Sequence, residues 1–386
     1  MIAYNETSLD NKAVRDQAAS ALAANCISKE EYAQIGTAHP SAFYTPNLYI
    51  RIGLFLLTLV IATFSLGLLA LMAMSSEYII GALLIFSGLI CYGVLEYLVF
   101  TKKHFRSGVD DALLWMSVVL LLAGIGVAVD NISNLSWSVM IFALALLTSL
   151  RFADRIMALI AWVALLAVFF YIVAESGRTG KLFISFLLMA VSVAGYFLVT
   201  FLHQDKRYRH YRSSLELVRA ASLISFYLAG NYLVVREMSV LLLHAPLRDV
   251  QGIPLGWLFW MLTVATPLFY IYRGVRKKDA IFLWVGLVLI AATVYTIRHY
   301  YPVMPLELAM VAGGIVLVVL AWGLIRYLRT PRHGFTGEAT DDSHFLESLH
   351  LETLVIAETF RPVAPPPDDF RFGGGSGGGG GAGGQY

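Results

Sequence analysis

Charged and polar side chains are scarce between Arg51 and Leu328, so each one that falls near or inside an apolar run is a candidate for chemistry. Asp130, Arg236, Arg298 and His299 stand where long apolar stretches end on one side. If Asp130, Arg236 and Arg298 converge, they form a charged mouth able to hold an anionic group. Asn231 lies deeper in an apolar run beside Gly230, where a buried amide must find a partner on a neighbouring helix. Asp130, Asn231, Arg236, Arg298 and His299 are therefore the candidate ligand-binding residues. On the other side stand Glu96, Asp110 and Asp111. Glu96 is one turn inside its run and is expected to snorkel toward Lys102 or Lys103. Asp110 and Asp111 follow Ser107 at the start of a run, where carboxylates favour a helix N-terminus; acid-base or ion-binding work is the alternative role for all three. There is no P-loop and no G-x-S-x-G. His203 and His210 fall seven apart in a basic stretch, His344 and His350 fall in a polar tail, and Cys26 and Cys91 have neither disulfide nor metal spacing. No catalytic residue, metal or cofactor is expected.

The elements that must position these residues are set by hydropathy. The chain is 58% hydrophobic and 14% charged with a mean hydropathy of +0.70, far from the make-up of a water-soluble domain. A hydrocarbon core about 30 Å thick takes about 20 residues of helix, and each segment has to satisfy its own backbone amides. The expected fold is an all-α polytopic membrane bundle of about ten helices, at 51–73, 78–100, 112–129, 135–150, 156–174, 181–202, 217–236, 256–272, 280–297 and 304–325. The seventh carries Ser225, Tyr227, Gly230 and Asn231, its most polar stretch, and the eighth carries Pro267, which is expected to kink the helix beside a cavity. The polar stretch His244 to Gly256 is expected to lie at the interface as a short lid.

Basic residues test the alternation. Sixteen Lys and Arg fall in one set of connections, at 102–106, 151–155, 206–212, 273–278 and 326–332, against five in the other: Arg178, Lys181, Arg236, Arg248 and Arg298. Retention of positive charge on the cytoplasmic side then puts both termini in the cytoplasm. A net charge of +2 gives no reason to expect a nucleic-acid partner. No cleavable signal peptide is recognised, and the first span is expected to direct insertion.

Four regions follow: a helical segment 1–46, a membrane domain 47–328, an acidic segment 329–372 and a flexible Gly-rich tail 373–386. In the first, Val14, Ala18, Ala21 and Leu22 share a face after Asp10, and Ser28 with Glu31 has the spacing of a capping box. So small an apolar set is expected to dock on the membrane domain or a partner rather than fold alone. From His333 onward eight acidic residues face Arg361 and Arg371, a local charge of −6, which anionic headgroups repel. Ten of the last 14 residues are glycine, a composition that reads as coil.

NCISKEEYAQI, ahead of closely spaced spans, resembles the start of bacterial polytopic membrane proteins classed as a domain of unknown function, over the first 75 or so residues. The tail GGGSGGGGGAGGQY is similar to glycine-rich cytoplasmic ends of other bacterial membrane proteins, some of which carry an extracytoplasmic TPM domain that has no counterpart here. HFRSGVDDALLW and IRHYYPVMPLELA also resemble segments of such proteins. The resemblance implies a bacterial inner-membrane protein and transfers no activity. The expected role is a non-enzymatic membrane component or scaffold in the lipid bilayer that displays both termini to a cytoplasmic protein partner. The alternative is a transporter of a small, anionic solute, and a third reading is a transferase acting on a lipid-linked substrate.

Overall fold

The computed structural model describes residues 2–72, 77–175, 177–243 and 255–300, with scattered positions between 311 and 326. Its helices are α1 (Glu6–Ala23), α2 (Lys29–Ala38), α3 (Leu48–Met72), α4 (Glu77–Thr101), α5 (Val109–Ala128), α6 (Asn134–Phe152), α7 (Arg155–Ala174), α8 (Gly177–Gln204), α9 (Arg212–Gly230), α10 (Tyr232–Leu243), α11 (Gly256–Lys277) and α12 (Ala280–Tyr300). Among the described residues the only β feature is an isolated bridge between Tyr44 and His104. The protein is an all-α polytopic membrane bundle. Eight helices (α3 to α8, α11 and α12) are long and apolar enough to cross a bilayer, and α9 with α10, bent by 66° between them, is either a broken ninth span or a re-entrant pair. The tenth expected span, 304–325, lies almost wholly outside the described residues. So do the 244–254 stretch, the acidic segment 329–372 and the Gly-rich tail.

The fourth span, expected at 135–150, is a full crossing from Asn134 to Phe152, capped by Ser133, whose hydroxyl accepts from the Ser136 N–H. The seventh, expected as one span over 217–236, is two helices: Gly230 ends α9, Asn231 is extended at φ −76°, ψ 128°, and α10 leaves in a new direction. Pro267 does not break α11, which is continuous around it.

Small residues let the helices approach. A methyl group on Gly124 of α5 would stand 2.8 Å from the Gly81 carbonyl oxygen of α4, and one on Gly195 of α8 would stand 2.2 Å from the indole of Trp162 on α7. Bilayer helices gain little from apolar burial against one another, so close backbone contact of this kind carries the packing. Outward positions such as Phe64, Phe100, Phe201 and Trp284 remain exposed, as a lipid-facing surface requires.

The segment ahead of α3 docks on the end of the bundle where α4 passes to α5, α6 to α7 and α8 to α9, here the N-terminal face. The Ser28 to Glu31 capping box forms in both directions, and its hydrogen bonds hold the exposed Glu31 carboxyl below the usual glutamate range. α1 begins at Glu6, capped by Asn5, rather than after Asp10. Its buried residues are Leu9 and Ala18, the second of them on the expected face, while Val14 is exposed; Tyr4, just ahead of the helix, is buried as well. Tyr4 packs edge-on against Phe43, Phe105 and Phe152, the Ala3 N–H donates to the Arg151 carbonyl at 2.8 Å, and Asp10 pairs with Arg209.

Candidate functional site

Asn231 sits between α9 and α10 and is 2% exposed. Its Oδ1 accepts from the N–H groups of Leu233 at 3.0 Å and Val234 at 3.3 Å, capping α10 inside the bundle. Its Nδ2 donates to the Tyr227 hydroxyl at 2.9 Å and to Thr296 Oγ1 at 3.0 Å. Tyr227 passes a bond on to Thr293 Oγ1 at 2.9 Å, and the Thr293 hydroxyl reaches the Thr263 carbonyl at 3.1 Å. That carbonyl is available because Pro267, four residues on, has no N–H to offer it. The Thr263 hydroxyl accepts from the Tyr232 N–H at 2.9 Å, so α11 caps the break as well. The amide orientation follows from the network, since a flipped Asn231 would face two N–H groups with its own N–H₂. Ser225, two residues before Tyr227, accepts from the Trp162 indole N–H at 3.1 Å.

Next to the break, toward the end of the bundle opposite the N-terminal segment, three aromatic rings meet. Tyr232 stacks on Trp260 with centroids 4.7 Å apart, and Tyr300 meets both edge-on at 5.1 and 5.7 Å. The Arg236 guanidinium lies over the Tyr300 ring at 5.2 Å. Arg298 is half-buried, and His299 is exposed with its ring edge-on to Tyr300 at 5.0 Å. Asp130 is exposed at the end of α5. Among the described residues no ion pair joins Asp130 to Arg236 or Arg298. The structure therefore brings Arg236 and Asn231 into one column with Tyr300 and leaves Asp130 outside it.

On the N-terminal face Glu96 does not reach toward Lys102 or Lys103. It takes a two-pronged bond from Arg151, at 2.9 and 3.0 Å, and a third from Tyr92 at 2.9 Å. Arg151 is fixed at the end of α6 and offers a planar fork, whereas the lysines would have to fold back along α4. Asp110 accepts from the Ser107 N–H at 2.8 Å and the Ser107 hydroxyl at 3.0 Å. Asp111 instead pairs with Arg51 at 2.6 Å and ties α3 to the start of α5. Beside them Arg106, Asp154 and the buried Tyr4 line a cavity of about 20 Å³, room for one water. Burial holds the Arg106 guanidinium below its ordinary value and pushes the Tyr4 phenol well up. Arg51, Arg151 and Tyr4 are partners that sequence reasoning missed, because no local spacing links residues 55 or 60 apart.

A third feature has no sequence signal at all. A cleft of about 730 Å³ runs down the N-terminal half of the bundle between α8 and α11, floored by Ser222, Leu223 and Phe226 of α9. The Tyr270 hydroxyl donates to the Leu223 carbonyl at 3.2 Å across that floor. Phe197 and Phe269 stand at its rim, both exposed, so the cleft opens sideways toward lipid. Its polar end carries Arg273 and, behind Tyr196 and Phe282, Arg219 paired with Asp279. No family model, curated protein or solved structure matches the chain.

Proposed function

We propose that this protein is a carrier for a small anionic solute, oriented with both termini in the cytoplasm of a bacterial inner membrane. The observation that carries the reading is the helix break at Asn231, buried, with the first three N–H groups of α10 capped by side chains. Breaks in membrane-spanning helices are where carriers place substrate sites and the joint about which one half moves. The aromatic rings of Tyr232, Trp260 and Tyr300 then act as an outer gate, with Arg236 as its cation. The scaffold reading is weakened because the N-terminal segment is spent on the bundle itself, through Tyr4 and the Asp10 to Arg209 pair. Sixteen basic residues against five support the orientation.

Reporter fusions test the orientation: a fusion after Arg212 gives a cytoplasmic signal and one after Arg178 an extracytoplasmic signal. The reverse pattern would overturn the topology. Transport is read as transient current from proteoliposomes on a solid-supported membrane during jumps of acetate, succinate or inorganic phosphate. At least one anion gives a current in the wild type, and Arg236→Gln lowers it about fivefold, the weight of one cationic contact of roughly 1 kcal/mol. Silence with all three anions, from protein shown to be folded and inserted, would leave the scaffold as the surviving reading.

A further inference from the structure

The cleft between α8 and α11 is not part of the gate and has a shape of its own. Its lining on α11 runs from Leu262 to Arg273, eleven residue steps, or about 16 Å of helix. That is half of the roughly 30 Å hydrocarbon core, the depth of one leaflet. Along this length the walls are apolar, with Val193 and Phe197 on one side and Leu262 and Phe269 on the other. At the interfacial end the charge is unbalanced. Arg219 is neutralised by Asp279, while the Arg273 guanidinium lies 5.1 Å from the Phe282 ring centroid and, among the described residues, has no carboxylate partner. Arg276, Lys277 and Lys278 follow directly and are exposed, which adds positive potential at the same level.

We propose that this cleft binds an anionic glycerophospholipid from the leaflet on the Arg273 side, one acyl chain lying between α8 and α11 and the phosphate on the Arg273 guanidinium. The leaflet-length apolar slot and the Arg273 guanidinium, which among the described residues has no carboxylate partner, fit that ligand in both chain and charge. A zwitterionic lipid offers the same phosphate but brings an ammonium group that the positive potential of Arg276, Lys277 and Lys278 disfavours, and a free anion matches only the cation. The inference does not depend on the carrier reading, since a lipid seated there would brace α8 against α11 whatever the gate does.

The test is native mass spectrometry of the delipidated full chain in detergent, titrated with dioleoyl phosphatidylglycerol or dioleoyl phosphatidylcholine. Phosphatidylglycerol is expected to bind at least fivefold more tightly than phosphatidylcholine. Arg273→Gln lowers that affinity about fivefold, the weight of one basic residue at an anionic surface, and Arg273→Lys retains most of it. Ala265→Trp, on the exposed rim, fills the slot and abolishes binding of both lipids; Val193→Trp does the same from the opposite wall. Each variant is compared only where its size-exclusion profile matches the wild type, and having two slot-filling variants covers the failure of either one to fold. Equal binding of the two lipids, wild-type binding by Arg273→Gln, or wild-type binding by both tryptophan variants would overturn the proposal. Displacement by millimolar inorganic phosphate would overturn the acyl-chain occupant, and a dimer that Ala265→Trp dissociates would assign the cleft to a second copy of the chain instead.

Discussion

Asn231→Ala is expected to lower the stability of the detergent-solubilised protein by on the order of 3 kcal/mol. Loss of an N-terminal cap alone costs about 1 kcal/mol. Here the Leu233 and Val234 N–H groups are inside the bundle, where an orphaned donor costs about 1 to 3 kcal/mol. The offset is the modest average of interhelical hydrogen bonds in bilayers, about 0.6 kcal/mol each, which limits what the bonds to Tyr227 and Thr296 add. Asn231→Asp separates the two halves of the role. It keeps an oxygen for the cap but loses the donor, and it places an unpaired charge inside the bundle, at a cost on the order of several kcal/mol. Asp is therefore no milder than Ala. Tyr227→Phe removes only the middle of the chain of bonds and costs about 1 kcal/mol. Thermal unfolding followed by intrinsic fluorescence ranks the three. A melting temperature unchanged in Asn231→Ala would mean that the break is held by packing alone.

Gly108→Ala is expected to do comparable damage at the other end of the molecule. Gly108 has φ +92°, and a methyl group there would stand 2.1 Å from the Arg51 carbonyl oxygen, which is backbone and has no rotamer to retreat into. Backbone strain in this region costs about 1 to 3 kcal/mol before the clash is counted. Relieving the contact pushes α3 away from α5 and stretches the Arg51 to Asp111 pair. A loss of about 3 kcal/mol or more is expected, visible as a fall in both melting temperature and monodisperse yield. Gly93→Ala is the control, because nothing lies within 4 Å of a methyl group there and alanine is the better helix former. Equal behaviour of the two alanine variants would show that α3 is free to shift.

The crossings were legible because apolar length is a local property, and so was the Ser28 to Glu31 box, which needs only a spacing of three. Asn231 could be marked as an amide that must be partnered. That it ends one helix and starts another was not legible, because the decision rests on Thr263 and Thr296, 32 and 65 residues away. Pro267 was read as a kink, yet its effect appears at Thr263, whose freed carbonyl takes the Thr293 hydroxyl within a continuous helix. Glu96 was assigned to the nearest lysines in sequence, and Arg151 won because a rigid bidentate fork was held in place by another helix. Tyr4 carried no signal, since one aromatic in a polar segment has no period. The cleft is assembled from four helices and has no motif to find.

Solvent access beneath the aromatic gate is the most direct measure of the central claim. In a background with Cys26→Ser and Cys91→Ser, a cysteine is placed at Thr296, which is 1% exposed, bonded to Asn231 and one turn before Tyr300 on α12, and a second, separately, at the exposed Glu237. A carrier that opens at the break lets a membrane-impermeant maleimide, added from the Arg236 side, reach the cysteine at 296 at a rate well below that at 237. Trp260→Ala should raise the rate by removing one leaf of the gate. If the cysteine at 296 stays unlabelled while that at 237 labels to completion, and Trp260→Ala changes nothing, the broken crossing is a fixed piece of packing and the carrier account is wrong.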